Sequence, residues 1–450
     1  VLRNKSMVME VVHETIKIAS AQPPAPAPTA VPSPLMNGKH PIVESAIKSH
    51  TPEQQTETLT LVEQLTADQL KALNEIVTSV LNGESHVLKG FAGTGKSFLC
   101  KVITLIFRTA VFTAPTNKAV QVLNQSMGVQ ARTIHKLLGL QVKHGKLHQK
   151  EAPSFVGYEL VALDETSMVN MELATYVQNQ IMPYCPVLFI GDPGQLPPVE
   201  EEESVTFSLE NVSVLTQIVR QSAGNPIIAY SKQLRERGFY MREIPFNENT
   251  ILKLPSLDDD TLYQAVLNYH KAGGVYAAWT NAKVNKINLG VHRLVHGKDA
   301  RDFVIGQTFV LNSPWLSRDN QVIGNIGDEF TIENINVLPN FQGYPTLQIF
   351  TQEEGISTPL FCLSSEGRPD FDAELNRHKN KKDWNEYYAL KERFTEIAHT
   401  YAFTCHKLQG STYDYVIIDA GDITKNRKTE EMDKCMYVAI TRARHAVAFV

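Results

Sequence analysis

The segment Gly90-Phe91-Ala92-Gly93-Thr94-Gly95-Lys96-Ser97 has the pattern G-x-x-x-x-G-K-[ST], follows an apolar run and precedes a helical one. Glycines at this spacing let backbone N–H groups wrap phosphates, and the start of the next helix adds partial positive charge. Lys96 then reaches the β and γ oxygens, and Ser97 offers a ligand to Mg²⁺. Gly90, Gly93, Thr94, Gly95, Lys96 and Ser97 are therefore candidate contacts for ATP bound with Mg²⁺. Hydrolysis also needs carboxylates at the end of a neighbouring strand. Asp164-Glu165 follows the apolar run Leu160 to Leu163; Asp164 can hold Mg²⁺ through water, and Glu165 can orient and deprotonate the attacking water. Gly191-Asp192-Pro193-Gly194-Gln195 closes the next apolar run, where Gln195 is a neutral donor able to contact the γ-phosphate and report its loss.

The elements that must carry these residues are short apolar runs alternating with helical stretches. His86 to Lys89, Val111 to Ala114, Leu160 to Leu163 and Val187 to Ile190 each end in a polar or Gly/Pro turn, the signature of a parallel sheet covered on both faces. The theme returns at Val275 to Trp279, Tyr415 to Ile418 and Val447 to Val450. Two α/β sheets are predicted. Between them, 303–363 is rich in Gly, Pro and alternating strands and reads as a small β-barrel insertion. A charged helical segment follows, from about Asp370 to His399.

Length and composition bound the rest. A chain of 450 residues exceeds one compact core. With 43% hydrophobic and 20% charged residues it is neither wholly disordered nor fibrous, and no apolar run approaches the roughly 18 residues of a membrane span. A net charge of −5, from 43 basic and 48 acidic residues, argues against coating nucleic acid by bulk charge but leaves room for a local basic groove. Five cysteines without a C-x-x-C pattern read as reduced packing residues in a cytosol-like compartment. Seven prolines between Pro23 and Pro41 predict a flexible arm over 1–58, and Arg3 and Lys5 before a weakly apolar patch do not make a signal peptide.

Nine short motifs in order make the chain resemble superfamily 1 helicases of the RecD-like group, from about Thr66 to the C-terminus. Thr66-Ala67-Asp68-Gln69 resembles the motif whose glutamine, here Gln69, bonds the adenine. Ala114-Pro115-Thr116-Asn117-Lys118-Ala119 and Thr133-Ile134-His135-Lys136 resemble DNA-contacting motifs of the first motor domain. Asp164 to Met168 and Gly191 to Pro197 match the metal and coupling motifs. Val219-Arg220-Gln221-Ser222 resembles the motif whose arginine faces the γ-phosphate. Trp279-Thr280-Asn281, Thr404 to Ser411 and Tyr437 to Arg444 match the second motor domain. The resemblance implies an α/β fold of two RecA-like P-loop motor domains, with a small β-hairpin insertion in the first and an SH3-like β-barrel insertion in the second. The first motor domain is expected over 59–225 with its hairpin at 137–158, the second over 226–295 and 400–450, and the barrel with a helical extension over 296–399.

It further implies ATP and Mg²⁺ as cofactors and Lys96, Asp164, Glu165, Gln195, Arg220 and Arg442 as catalytic residues, Arg442 being the arginine finger, while Arg444 reads as a helix cap or a partner for a carboxylate. Thr116, His135, Thr280, Asn281, Thr404 and His406 are the implied nucleic-acid contacts, a set of small hydroxyl, amide and planar groups suited to phosphates and bases. Trp279 reads equally well as core or contact. In the family a pin splits base pairs; His144-Gly145-Lys146-Leu147-His148 and Phe155 supply no clear aromatic wedge for one here. Trp384, Tyr387 and Tyr388 read as a DNA-guiding extension or a packed helix pair, and Glu200 to Glu203 as a solvated loop.

The function expected is an ATP-dependent DNA helicase that translocates 5′ to 3′ on single strands and unwinds duplex in replication, recombination or repair. It would be a monomer in a bacterial or phage-infected cytoplasm, acting on single-stranded, duplex or forked DNA with a single-strand-binding or replisome protein as a further partner, and without a membrane. The rivals are a helicase subunit of a recombination or relaxase complex, and a nucleic-acid-binding protein with weak ATPase. Lys96→Ala is expected to abolish ATP turnover while leaving single-strand affinity within several-fold; equal loss of both would make the lysine structural.

Overall fold

The computed structural model describes residues 40–450, apart from 144–145, 150–152, 156, 220–223, 318, 320–321 and 354. A six-stranded parallel sheet runs in the order Arg132–Thr133, Val111–Ala114, Val161–Leu163, Val187–Gly191, His86–Gly90, Val212–Leu215. Alternate residues of each strand enter different cores. Leu88, Ala162, Leu188 and Ile190 face the helices Ala67–Leu81, Lys96–Ile106 and Asn117–Met127. Val87, Val161, Val187 and Phe189 face the helix Met171–Gln180. Burial on both faces is why these strands are almost uniformly apolar.

A second parallel sheet has the order Ala402–Thr404, Gly274–Ala278, Tyr413–Ile418, Ala443–Phe449, Ile251–Lys253. It divides its side chains in the same way, Ala277, Val416 and Val447 into one core and Tyr276, Ile417 and Ala448 into the other. Strands that are all parallel bring their C-terminal ends to one edge, where the ligands of such sheets bind.

Between Gly274–Ala278 and Ala402–Thr404 in the chain lies an antiparallel sheet of five strands, Leu360–Leu363, Tyr344–Thr351, Glu329–Phe341, Thr308–Leu311 and Ile397–His399. Thr395 N–H donates to Phe361 O at 2.8 Å, so the two edges of the sheet approach each other. The charged segment expected from Asp370 to His399 is a pair of helices, Arg368–Lys381 and Trp384–Lys391, and its end returns as a strand. Phe371, Leu390 and Phe394 bury the pair against Tyr344 and Leu363, while Trp384 stays 48% exposed. In the first domain, Leu140–Lys143 pairs with Lys146–Gln149 in a hairpin. The hairpin rests on Met171–Gln180 through Leu147 N–H to Glu172 (3.2 Å) and a reciprocal pair of amide bonds between Gln149 and Gln180. Phe155 is buried in the core and therefore is not a wedge.

The arm expected over 1–58 is corrected from Pro41 onward. Pro41–Ala46 and Pro52–Val62 are helices, each with proline in the first turn, and Thr51 and Gln54 form a capping box. Val43, Ile47 and Val62 are buried in the first core. Proline at a helix start costs no hydrogen bond, because the first N–H groups lack partners anyway; Pro41 thus opens a helix rather than ending a proline-rich tail. Residues 1–39 lie outside the described residues. No described helix is long and apolar enough to cross a membrane.

A histidine cluster joins the five-stranded sheet to the helix Asn281–His296. Gln307 Nε2 donates to Nδ1 of His399 at 2.8 Å and of His292 at 3.3 Å, and the two rings stack at 4.6 Å. Burial, reinforced by His292 and His296, pushes His399 down to about 3, and burial lowers His292 as well. An unfolded histidine titrates near 6.5, so on acidification the unfolded chain takes up protons that the folded one refuses. Stability is complete above about 6.5 and is lost as pH falls toward 3. The melting temperature should drop between pH 7.5 and 5.5. His399→Asn should start lower but show a shallower drop, and an unchanged slope would exclude the cluster as the cause.

Candidate active site

The P-loop leaves the C-terminal end of His86–Gly90. Gly93 and Gly95 take φ of 80° and 77°, a left-handed backbone that favours glycine, and Gly95 caps the helix Lys96–Ile106. Thr94 is buried, its hydroxyl donating to Phe91 O at 2.8 Å. Lys96 Nζ donates to Gly90 O and to Phe91 O. Ser97 is exposed in the first turn of the helix. Gln69 is only 2% exposed. Its Nε2 donates to Thr94 O (3.0 Å) and Gly95 O (3.4 Å), and its Oε1 accepts from Thr66 N–H (3.0 Å). The residue expected to read the base is thus also the brace of the P-loop, a role that a capping box alone does not disclose.

Asp164 and Glu165 end the strand Val161–Leu163. Glu165 adopts φ 52°, strained for a residue with a Cβ, while its N–H donates to Asp164 Oδ1 at 2.8 Å. Burial, with Glu165 beside it, raises the Asp164 carboxyl well above the usual carboxylate range, against the pull of Lys96 and Arg442. Arg442 arrives from the other sheet, 9% exposed, with Nη1 3.7 Å from Glu165 Oε1 and 3.3 Å from Ser411 O. Arg444 pairs with Asp414 at 3.4 Å. Arg220 lies outside the described residues, but Val219 N–H donates to Gly93 O at 3.0 Å, so the chain leading to Arg220 lies against the P-loop.

Several residues of these segments carry buried polar atoms without a hydrogen-bond partner: Thr166 Oγ1 and Ser167 Oγ directly after Glu165, Gln195 Oε1 on the Asp192 loop, and Ser411 Oγ and Arg442 Nε from the second sheet. Such atoms are rare in folded proteins and mark places where a polar ligand belongs. The donor set suits a triphosphate with Mg²⁺. Ser97 and Asp164 are the candidate metal ligands, few enough for an ion that keeps waters and phosphate oxygens in its shell.

Several residues that sequence reasoning missed connect the domains here. Tyr437 OH donates to Asp192 Oδ2 at 2.7 Å and accepts from Ala92 N–H at 3.1 Å. The Arg235 guanidinium lies 3.4 Å above the Phe91 ring. Gln409 Nε2 donates to Leu196 O at 2.8 Å. Tyr437 and Gln409 fall inside quoted motifs, yet their partners are hundreds of residues away, and no spacing signals that.

The expected nucleic-acid residues fall in matching places on the two sheets. Thr116 and Thr280 each follow a strand and cap a long helix, accepting from Ala119 N–H and Lys283 N–H at 3.2 Å, with Asn117 and Asn281 as first helical residues. Thr133-Ile134-His135-Lys136-Leu137 and Thr404-Cys405-His406-Lys407-Leu408 each follow the neighbouring edge strand and begin a four-residue helix capped by its threonine. Asn281 is exposed, whereas Thr280 is held by Asp422, whose carboxylate accepts its N–H (2.8 Å) and hydroxyl (2.9 Å). Trp279 packs on the second core and donates its N–H to Asp422 (3.1 Å). Burial lowers the pKa of His135, opposed by the Pro115 carbonyl, and of His406, opposed by Glu431. Both are therefore neutral rings near pH 7, suited to hydrogen bonding and stacking. Gly410 brings the halves together, because a Cβ there would lie 3.0 Å from Ala119 Cβ and 3.3 Å from Thr116 Oγ1.

A P-loop and paired carboxylates stand on one parallel sheet, faced by an arginine from a second, an arrangement that resembles that of superfamily 1 helicases. Residues 64–240 match the AAA domain family and 399–450 the UvrD-like helicase C-terminal domain. The chain is similar to the ATP-dependent DNA helicase dda of Enterobacteria phage T4, 26% identical over 86% of this chain and 99% of that protein. It is also similar to the ATP-dependent RecD2 DNA helicase of Deinococcus radiodurans, 27% identical over 83% of this chain and 48% of the relative. A Pif1 helicase from a structural study of unwinding at forked dsDNA aligns with TM-score 0.49 at 17% identity, covering 86% of this chain and 92% of that one.

Glu165→Gln should retain ATP binding but turn over at least about a hundredfold more slowly, the scale of a lost general base. Near-normal turnover would remove Glu165 from that role.

Proposed function

We propose that the protein is an ATP-dependent DNA helicase that moves 5′ to 3′ along single-stranded DNA as a monomer. The observation that carries this reading is the approach of Arg442, from the second sheet, to Glu165 of the carboxylate pair on the sheet that bears the P-loop. The names of the similar proteins supply the DNA and the helicase activity; the polarity comes from the family resemblance.

On nucleotide binding, Lys96 would exchange its backbone carbonyl partners for β and γ oxygens, and the P-loop amides would cradle the phosphates. Mg²⁺, held through Ser97 and Asp164, would neutralise charge between the phosphates. Arg442 pairs with Glu165 and would leave that carboxylate for the γ-phosphate. The same movement frees Glu165 to take a proton from the attacking water, so base and finger are readied together. Gln195 and Arg220 would contact the γ-phosphate, and Gln69 would contact the base while still bracing the loop. Hydrolysis then relaxes the closure and shifts one motor domain against the other.

Thr116, His135, Thr280, Asn281, Thr404 and His406 would line the strand's path across both sheets. The hairpin 140–149 would act as the strand-separating pin and the five-stranded insertion as an SH3-like barrel, with the helix pair after it guiding DNA. The test is an unwinding assay with ATP on 5′-tailed and 3′-tailed duplexes. Unwinding of the 5′-tailed substrate alone is expected. Unwinding of the 3′-tailed one alone would reverse the polarity, and unwinding of neither would leave an ATPase that is not a helicase by itself.

A further inference from the structure

Tyr437 stands on the helix Thr429–Thr441 of the second motor domain, 1% exposed and packed in that domain's core. Its hydroxyl reaches two elements of the first. It accepts the P-loop N–H of Ala92 at 3.1 Å and donates to Asp192 Oδ2 at 2.7 Å. Asp192 in turn shapes the loop that carries Gln195, for its other oxygen accepts Gly194 N–H (2.9 Å) and its carbonyl accepts Gln195 N–H (3.1 Å). Burial, with Asp192 alongside, holds the phenol far above its ordinary range, so it stays a neutral donor at any working pH. The surroundings leave no slack. A Cβ on Gly194 would come within 3.1 Å of Asp192, 3.3 Å of the Tyr437 ring and 3.4 Å of Arg235, and Arg235 itself covers Phe91, the P-loop residue before Ala92.

We propose that Tyr437 is the positioning residue through which closure of the motor domains reaches the nucleotide site, its single hydroxyl fixing the P-loop amide of Ala92 and the Asp192-to-Gln195 loop in one register. The Arg442–Glu165 contact at 3.7 Å is ionic and tolerates displacement. The two Tyr437 bonds, at 2.7 and 3.1 Å, are directional, and a shift of less than an ångström weakens both. Tyr437 touches no group expected to bind ribose or base, so its loss should slow the closed state without loosening ATP. The inference rests on the motor reading above.

The test measures kcat and KM for ATP at saturating single-stranded DNA, on the full chain carrying Tyr437→Phe, Asp192→Asn or both. Phenylalanine keeps the ring packing and removes only the hydroxyl. Each single variant should lose about tenfold in kcat, the scale of one hydrogen bond to a charged group, with KM within about twofold. The double variant should be no slower than the worse single, because both remove the same link. Wild-type kcat in Tyr437→Phe, or losses that multiply in the double variant, would overturn the proposal. Should Tyr437→Phe fail to fold, Asp192→Asn alone decides: a kcat loss at constant KM supports the link, and wild-type kcat overturns it. A wild-type chain without DNA-stimulated turnover would instead overturn the motor reading itself.

Discussion

The charges gathered at the candidate site do not come from one sheet. Asp164 and Glu165 are adjacent carboxylates in a place where burial already disfavours ionisation, and on the first sheet Lys96 is the cation that opposes them. Arg442 completes the balance from the second sheet. A buried carboxylate pair is costly without paired cations, so the site reaches its working electrostatics only when the domains meet. On the proposed reading, this division would make catalysis depend on how the two sheets meet, which is what a motor has to move.

The same dependence explains why so many contacts in the cleft join the two halves rather than strengthen one. Tyr437 ties the second domain to Ala92 and Asp192, Gln409 ties it to Leu196, and Gly410 lets the backbone approach Thr116. The insertion takes part as well. Lys118 of the first motor domain bonds Glu329 of the insertion at 2.7 Å and Tyr413 of the second motor domain at 3.0 Å, and Asn117 bonds Asp328. Lys407 donates to Asn312 at 2.9 Å. The expected DNA-contacting motifs are therefore bonded to the insertion on both sheets.

The parallel arrangement of the strands reconciles this with a net acidic chain. Each sheet offers its C-terminal edge, where the short segments that bear Thr116, His135, Thr280 and His406 follow their strands, so a proposed DNA path there would not need a basic surface elsewhere. A strongly basic surface would hold DNA by counterion release wherever it touched. Neutral histidines and capped threonines suit a grip that must be released at each step.

How much of this was legible in the chain differs by element. The P-loop, the Asp164-Glu165 strand end and the alternation of apolar runs are local patterns, fixed by backbone geometry and by burial on both faces of a sheet, and they were readable from spacing. The helices Pro41–Ala46 and Pro52–Val62 were not, because proline at a helix start and proline in an extended tail look alike until the burial of Val43 and Ile47 is known. The second duty of Gln69, the inward place of Phe155 and the roles of Tyr437, Arg235 and Gln409 were likewise invisible. Residue types and their local spacing determined the chemistry of which this protein is capable. The tertiary structure alone decided which atoms share the cleft, since a hydrogen bond between Tyr437 and Ala92 depends on how two sheets pack, a distance that sequence spacing does not encode.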